Sequence, residues 1–470
     1  MLNISDHPEI SRVIGFFEEI TKIPRGSGNT DKIATYLYSF GKERGLECYR
    51  DDFDNVVIKK PSTQGYESRP TIVLQGHSDI VAEKEPNCKI DMETEGVCVF
   101  REGDFLKADG TTLGADDGIA LAYALALLDS TNIPHPRLEC VFTSDEETGL
   151  TGAMNISPDL ISGRMMINLD SGEEGVFTVG CAGGLRADIS LGIERTVSSE
   201  RTYEISIKGL TGGHSGVEID KGRANALKIM ASVLSNFSNP KLIELSGGNA
   251  DNAIPREALC RVALQNPPDE KAILELAKSL FNKENGSIKI REVTQAKPAL
   301  TSESTERVIR LLSDIPTGVY KMSEDIEGLV ETSLNVATCE MDNGKFSLAV
   351  SIRSSKDTEK AALYETVRKI ASSIGATVSS RGEYPGWEYK NDSPLRALMC
   401  KTWKKLYDRE PEVVMIHAGL ECGIFSGKLS GLDCVSTGPD HFDIHTPKER
   451  LSLSSTERVW RFLLEVLKEI

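Results

Sequence analysis

Ile72-Val73-Leu74-Gln75-Gly76-His77-Ser78-Asp79 is an apolar run that breaks at a glycine and delivers a histidine and an aspartate two positions apart. The aliphatic residues at 72–74, with Val81 beyond, read as a buried strand emptying into a loop. In an open α/β sheet, ligands collect outside the carboxyl ends of the strands. Strand residues two apart share a face, so His77 and Asp79 suit a metal ligand and the carboxylate that orients it. Alone, H-x-D is a common pair, and the rest of the chain has to supply such a site.

Further along, the same pattern recurs. In LKADGTTLGADDGIALAYALALL (106–128) a Gly-punctuated turn carrying Asp116 and Asp117 runs straight into a helix of small apolar residues. Acidic side chains in that position also serve as plain helix caps. RLECVFT (137–143) reads as a strand ending in SDEETG, with Glu146 and Glu147 adjacent. MMINLDSGEEG (165–175) reads as another, with Asp170 at its end. Three strands that each end in a carboxylate or a histidine point to one shared site.

Flanking elements complete an α/β reading. Helices are expected over 6–20 and 31–44, and a strand over 55–58. From about Leu185 the character changes: RTYEISIKGL (201–210) and GKFSLAVSIRSS (344–355) alternate as strands covered on one face, interleaved with helical stretches at 224–237, 270–281, 305–312 and 358–374. This predicts an inserted α+β domain. The expected organisation is one domain at 1–184 and 385–470 around a second at 185–384, which the resemblance given below reads as a catalytic domain and a lid and dimerisation domain. The last part offers a helix over 394–407, a strand over 413–416, the turn HAGLECG (417–423), a strand over 432–436, the loop GPDHFDIHTPKER (438–450) and a final helix over 455–470.

Composition narrows the function. The 470 residues suffice for two or three domains. A net charge of −17 opposes nucleic acid and anionic membrane surfaces as partners. The longest apolar run, 119–128, is too short to span a bilayer. The opening MLNISDHPEI has neither a basic nor an apolar leader segment, so no secretory signal is expected. Ten cysteines, never spaced C-x-x-C, argue against thiolate zinc or a disulfide framework and for a reducing cytoplasm. There is no dinucleotide fingerprint after a strand, no phosphate loop and no serine elbow.

The candidate ligands are therefore His77, Asp116, Glu147, Asp170 and a late histidine, either His441 or His445. A nitrogen and oxygen set with two imidazoles fits Zn²⁺, Mn²⁺ or Co²⁺ better than Mg²⁺ or Ca²⁺. The charge of two divalent ions is matched by three carboxylates and a hydroxide, which suits a paired site with one bridging carboxylate. Glu146, beside a ligand without being one, is the natural general base.

In this order, G-H-x-D, G-A-D-D-G, D-E-E-T-G, N-L-D and H-T-P-x-E resemble the aminoacylase/carboxypeptidase/dipeptidase family of co-catalytic zinc exopeptidases, over essentially the whole chain. The resemblance implies a three-layer α/β/α catalytic domain and two Zn²⁺ per subunit, with Co²⁺ or Mn²⁺ able to substitute. It implies that Asp116 bridges the ions, that His77 and Asp170 complete one site and Glu147 and His445 the other, and that Asp79 orients His77. It further implies a cis peptide bond between Asp116 and Asp117, the latter standing where many relatives have asparagine. In the inserted domain, GGHSG brings His214, whose counterpart supports the oxyanion, often in the partner subunit. N-A-I-P brings Asn252 and S-I-R-S-S brings Arg353, both resembling groups that hold a substrate's terminal carboxylate. HAGLECG resembles a further substrate loop in which Glu421 would meet a free amine. The expected activity is hydrolysis of small unblocked dipeptides with a C-terminal histidine, by a cytoplasmic homodimer. An N-acyl amino acid amidohydrolase and a non-catalytic relative are the rival readings.

Overall fold

The computed structural model describes residues 2–294, 297–324, 326, 328–342 and 344–470. The chain forms two compact units. One comprises residues up to Gly180, Tyr389–Met415 and Leu420–Ile470; the other comprises Cys181–Glu388 and Ile416–Gly419.

The first unit is built on an eight-stranded sheet. Its strands are β1 (Glu47–Arg50), β2 (Val56–Lys60), β3 (Ile72–His77), β4 (Leu138–Thr143), β5 (Met165–Asn168), β6 (Val176–Cys181), β7 (Glu412–Ile416) and β8 (Asp433–Ser436), in the order β1-β2-β4-β3-β5-β8-β6-β7. The four strands β4, β3, β5 and β8 run parallel, with Ile72 opposite Leu138 on one side and Met165 on the other. Every residue of β3 and β4 is buried, which explains their unbroken apolar sequence: a parallel strand is covered on both faces. Ile58, Leu74, Phe142 and Ile167 join the main core beneath helices α1 (Ser11–Ile20), α2 (Asp31–Glu43) and α3 (Ala115–Asp129). Their neighbours Val57, Val73, Val141 and Met166 are equally buried and face the other side. There, helix Glu421–Lys428 lies against β8.

α3 is buried along its whole length from Ala115 to Leu128. A helix apolar all round has no solvent face and belongs in a core. Its small residues permit close approach: a Cβ on Gly76 of β3 would lie 2.5 Å from Ala120 Cβ and 2.4 Å from an Asp117 oxygen. Gly76 therefore sets how near the His77 strand sits to the Asp116 helix.

The second unit carries a sheet in the order Ser287–Val293, Arg201–Lys208, Ala258–Leu264, Lys241–Gly247, Val330–Asp342, Lys345–Ser354, Gly183–Gly192 and Thr377–Tyr384, with Gly318–Met322 also paired to Val330–Asp342. Helices Ala226–Ser235, Glu270–Leu280, Ser302–Asp314 and Asp357–Ser373 pack in its core. Ile416–Gly419 is held there by Ala182 N–H donating to the Ile416 carbonyl and by a 2.7 Å hydrogen bond between Ser333 Oγ and His417 Nε2.

Two local expectations change. HAGLECG is only in part a turn, because a helix begins at Glu421. The 438–450 loop contains short strands, His441–Phe442 and Arg450–Ser452, which pair with each other. Among the described residues, no helix is long and apolar enough to cross a membrane, and all ten cysteines are free thiols.

Candidate active site

The carboxyl ends of the parallel strands, together with the loop ahead of α3, deliver the site. β3 ends in His77, β4 leads into Glu146 and Glu147, and β5 into Asp170. Asp116 enters at the start of α3, and its peptide bond to Asp117 is cis. His445 comes from the loop between the paired strands His441–Phe442 and Arg450–Ser452, the second of which is anchored on Phe105–Ala108. His445 holds a left-handed backbone with φ of 61°. Such strain costs a non-glycine residue about 1–3 kcal/mol and persists where the surroundings impose it.

These side chains converge. Nε2 of His77 lies 3.0 Å from Asp116 Oδ1 and 3.8 Å from Asp170 Oδ1. Nε2 of His445 lies 3.1 Å from Asp116 Oδ2 and 2.8 Å from Glu147 Oε1. Two of the three donor sets that result among the described residues are His77–Asp116–Asp170 and Asp116–Glu147–His445, each with its ligand atoms within 4.8 Å of one another. Asp116 belongs to both. His441 belongs to neither of these sets nor to the third, His77–Glu146–Glu147, and its ring packs instead against Gly172.

Asp79 organises this cluster. Its carbonyl lies 3.1 Å from Nδ1 of His77, which places the ring proton there and leaves Nε2 free to ligate. Its carboxylate lies 3.4 Å from the same nitrogen. The two carboxylate oxygens accept the backbone N–H groups of Glu146 at 3.0 Å and Glu147 at 3.3 Å, and Ser27 Oγ–H at 2.7 Å.

The electrostatics favour a cationic guest. Burial pushes the Asp170 carboxyl well above the ordinary carboxylate range, with Asp117 and Asp116 adding to the effect. Glu146 is pushed up to about 8, chiefly by burial and then by Glu421, Glu147 and Asp116, against the opposing pull of His77. His445 rises to about 10 because Asp116 and Glu147 hold its proton. His77 rises as well: burial opposes its charge, but Asp116 and Asp79 outweigh that. A half-buried crowd of carboxylates sharing imidazolium protons has the donor chemistry of a divalent-metal centre.

Glu421 lies in the first unit, with its Oε1 buried and without a hydrogen-bond partner. It is fully buried at the start of its helix, where Oε2 accepts hydrogen bonds from Gln75 Nε2 at 2.5 Å and Thr143 Oγ1 at 2.7 Å. The helix turns the side chain inward against β3 and β4. From there its charge contributes to the raised proton affinity of Glu146.

The other expected residues lie in the second unit. His214 pairs with Ala253 in a two-residue ladder, and Asn252 is exposed in the turn just before it. His214 Nδ1 accepts the backbone N–H groups of Gly216 and Val217, both at 3.2 Å, so its proton resides on Nε2. Arg353 is 4% exposed; Nη1 donates to Tyr384 Oη at 3.0 Å, while Nε is buried without a partner. Sequence reasoning passed over Tyr384. It also passed over Arg25 and Glu449, although Glu449 ends the quoted H-T-P-x-E motif.

The sequence pattern of the peptidase family M20/M25/M40 matches residues 73–469. The cytosol non-specific dipeptidase of Escherichia coli K12 is 36% identical over 469 residues, covering 97% of this chain and 96% of that protein. The crystal structure of aminoacylhistidine dipeptidase from Vibrio alginolyticus superposes with a TM-score of 0.90 at 34% identity, over 98% of this chain and 96% of that one. Aminopeptidase PepT from Bacillus cereus shares the fold, with a TM-score of 0.57 at 17% identity over 97% and 98% of the two chains. The chain belongs to the peptidase family M20/M25/M40 and is a hydrolase acting on peptide bonds.

Proposed function

We propose that the chain is a dinuclear metal-dependent dipeptidase of the cytoplasm that cleaves unblocked dipeptides, with a preference for a C-terminal histidine. What carries this reading is that Asp116 takes part in two donor sets at once, one oxygen toward His77 and the other toward His445. Asp116 would bridge two zinc ions, with His77 and Asp170 holding one and Glu147 and His445 the other; cobalt or manganese would fit the same donors. Such a pair, when bound, supplies an acidified water and a Lewis acid for the scissile carbonyl.

The chain's own residues do the rest. Glu146 accepts a proton from the attacking water and passes it to the leaving amine. Asp79 fixes the backbone of Glu146 and Glu147, so base and ligand keep their spacing. His214, protonated on Nε2, donates to the developing oxyanion. Arg353, a buried guanidinium with an unsatisfied Nε, grips the terminal carboxylate of the substrate with Asn252, which limits cleavage to short substrates. Homodimerisation through the inserted unit is supported by Val319, Tyr320 and Met322, exposed on a strand that, among the described residues, is paired on one side.

A peptide panel tests the reading on zinc-reconstituted protein: β-alanyl-His, Gly-His, Gly-Leu, and N-acetyl-Gly-His. Free-amine dipeptides should turn over, fastest with C-terminal histidine. Turnover confined to the N-acetylated substrate would make the chain an amidohydrolase of acylated amino acids. No turnover with zinc bound would remove the catalytic reading.

A further inference from the structure

Glu449 and Arg25 face each other across the loop that presents Asp116, and neither belongs to a donor set. Both are 2% exposed. Glu449 Oε2 accepts the backbone N–H groups of Leu113 at 2.8 Å and Gly114 at 2.9 Å; Oε1 accepts those of Ala115 at 2.7 Å and Asp116 at 3.3 Å. Four successive amides thus converge on one carboxylate. Arg25 takes the carbonyl side. Its Nη2 donates to the Gly114 carbonyl at 2.6 Å, and Nη1 to the carbonyls of Ser78 at 2.9 Å and Asp79 at 3.5 Å.

Each contact joins two ligand-bearing segments. Arg25 ties the loop after His77 to the loop before Asp116. Glu449, four positions after His445, ties that same loop to the segment carrying His445. The glycines of G-A-D-D-G fit this arrangement: a Cβ on Gly114 would lie 2.9 Å from Arg25 Nη2, and one on Gly118 would lie 2.4 Å from it. Gly114 also needs its left-handed φ of 73°. The adjoining strap continues the bracing, with Gly28 N–H donating to Asp145 Oδ1 at 2.6 Å beside Glu146.

We propose that Glu449 and Arg25 are positioning residues which set the orientation of Asp116, so that its two oxygens address different ions. This rests on the dinuclear reading above. Two fixed bonds about the Asp116 loop decide where its carboxylate points, and a bridging ligand tolerates little rotation before one of its two bonds is lost. The ion held by Glu147 and His445 depends most on the arrangement, because Glu449 joins Asp116 to the His445 segment directly. Groups that hold metal ligands in place typically matter about 10–100-fold for metal affinity.

The test is zinc binding by the metal-free full-length chain, measured by competition with a chromophoric chelator, alongside thermal melting of the metal-free protein. Glu449→Gln keeps the shape but turns an amide N–H₂ toward backbone donors. Arg25→Lys cannot reach the carbonyls of Ser78 and Gly114 together. The expected result is that the wild-type chain binds two zinc ions, whereas either variant binds one normally and the second about 10–100-fold more weakly, beyond whatever metal-free melting temperature it loses with its buried hydrogen bonds. Cobalt substituted into the variants should show the absorption of a single site. Two zinc ions bound at wild-type affinity in a folded variant would overturn the proposal. Equal weakening of both ions with a lowered metal-free melting temperature would overturn it too, since that is a purely structural role. A wild-type chain that binds fewer than two ions would instead bring down the dinuclear reading, and this inference with it.

Discussion

Oδ2 of Asp116 lies 3.1 Å from Nε2 of His445 although 329 positions separate the two residues. The remaining oxygen of the same carboxylate addresses His77. Under the dinuclear reading, Asp116→Asn removes the charge shared by two ions while leaving the backbone contacts of its loop. Zinc stoichiometry should fall from two toward one or none, with affinity down by more than the ~10–100-fold typical of supporting residues. Equilibrium dialysis against zinc measures it, and two tightly held ions in the variant would refute the bridging role.

Under the same reading Glu146 makes a separable prediction, because there it moves a proton and holds no ion. Glu146→Gln keeps the side chain's volume and the backbone bond to Asp79, and removes the basic oxygen. kcat should drop by about 10²–10⁴-fold with KM and zinc content little changed. Steady-state kinetics beside metal analysis of the same sample decide it. A variant that loses zinc in proportion to activity would make Glu146 a ligand.

Much of the site was legible because parallel strands are continuous apolar runs whose carboxyl ends must be neighbours. His77, Glu147 and Asp170 could therefore be grouped from strand ends alone, and Asp116 from a polar turn breaking into an apolar helix. Long-range contacts were not legible. Glu449 reads as one more charge in a polar loop; only the fold brings it to amides 333–336 positions away. The burial of Glu421 was not legible either: HAGLECG reads as a turn, whereas a helix starting at Glu421 sets its carboxylate on Gln75 and Thr143. Ile416–Gly419 joins the second unit through single hydrogen bonds that no periodicity announces.

Gly76 supplies a packing test. A methyl group there would meet Asp117 and Ala120 of α3 at 2.4 and 2.5 Å, so the strand and helix must separate. Gly76→Ala should cost about 1–3 kcal/mol, read from the urea midpoint. Gly15→Ala is the control: it lies within α1, nothing within 4 Å would meet the added carbon, and the helix gains about 0.5–1 kcal/mol. If both variants shift the midpoint in the same direction, the close approach of β3 to α3 is not what constrains Gly76.

The last prediction concerns pH and the metal-free protein. His445 keeps its proton up to about 10 because Asp116 and Glu147 accept from it, whereas an unfolded histidine releases it near ~6.5. Between those values the folded chain binds the extra proton, so this stabilisation is full below about pH 6.5 and is lost as pH rises through about 10. Glu146 acts in the same sense: burial keeps it protonated up to about 8 while the unfolded carboxyl ionises near ~4.3, so its contribution falls between those values and levels off above about 8. The melting temperature of chelator-treated protein should therefore fall steadily from about pH 6.5 to about 9.5. Zinc replaces the protons on His77 and His445, so the loaded protein should hold its melting temperature across that range. Titrating zinc into the metal-free chain near neutral pH in buffers of different ionisation enthalpy should show proton release. A metal-free melting temperature that is flat or rises over the window, or zinc uptake without proton release, would mean that the two imidazoles do not give up protons to an ion.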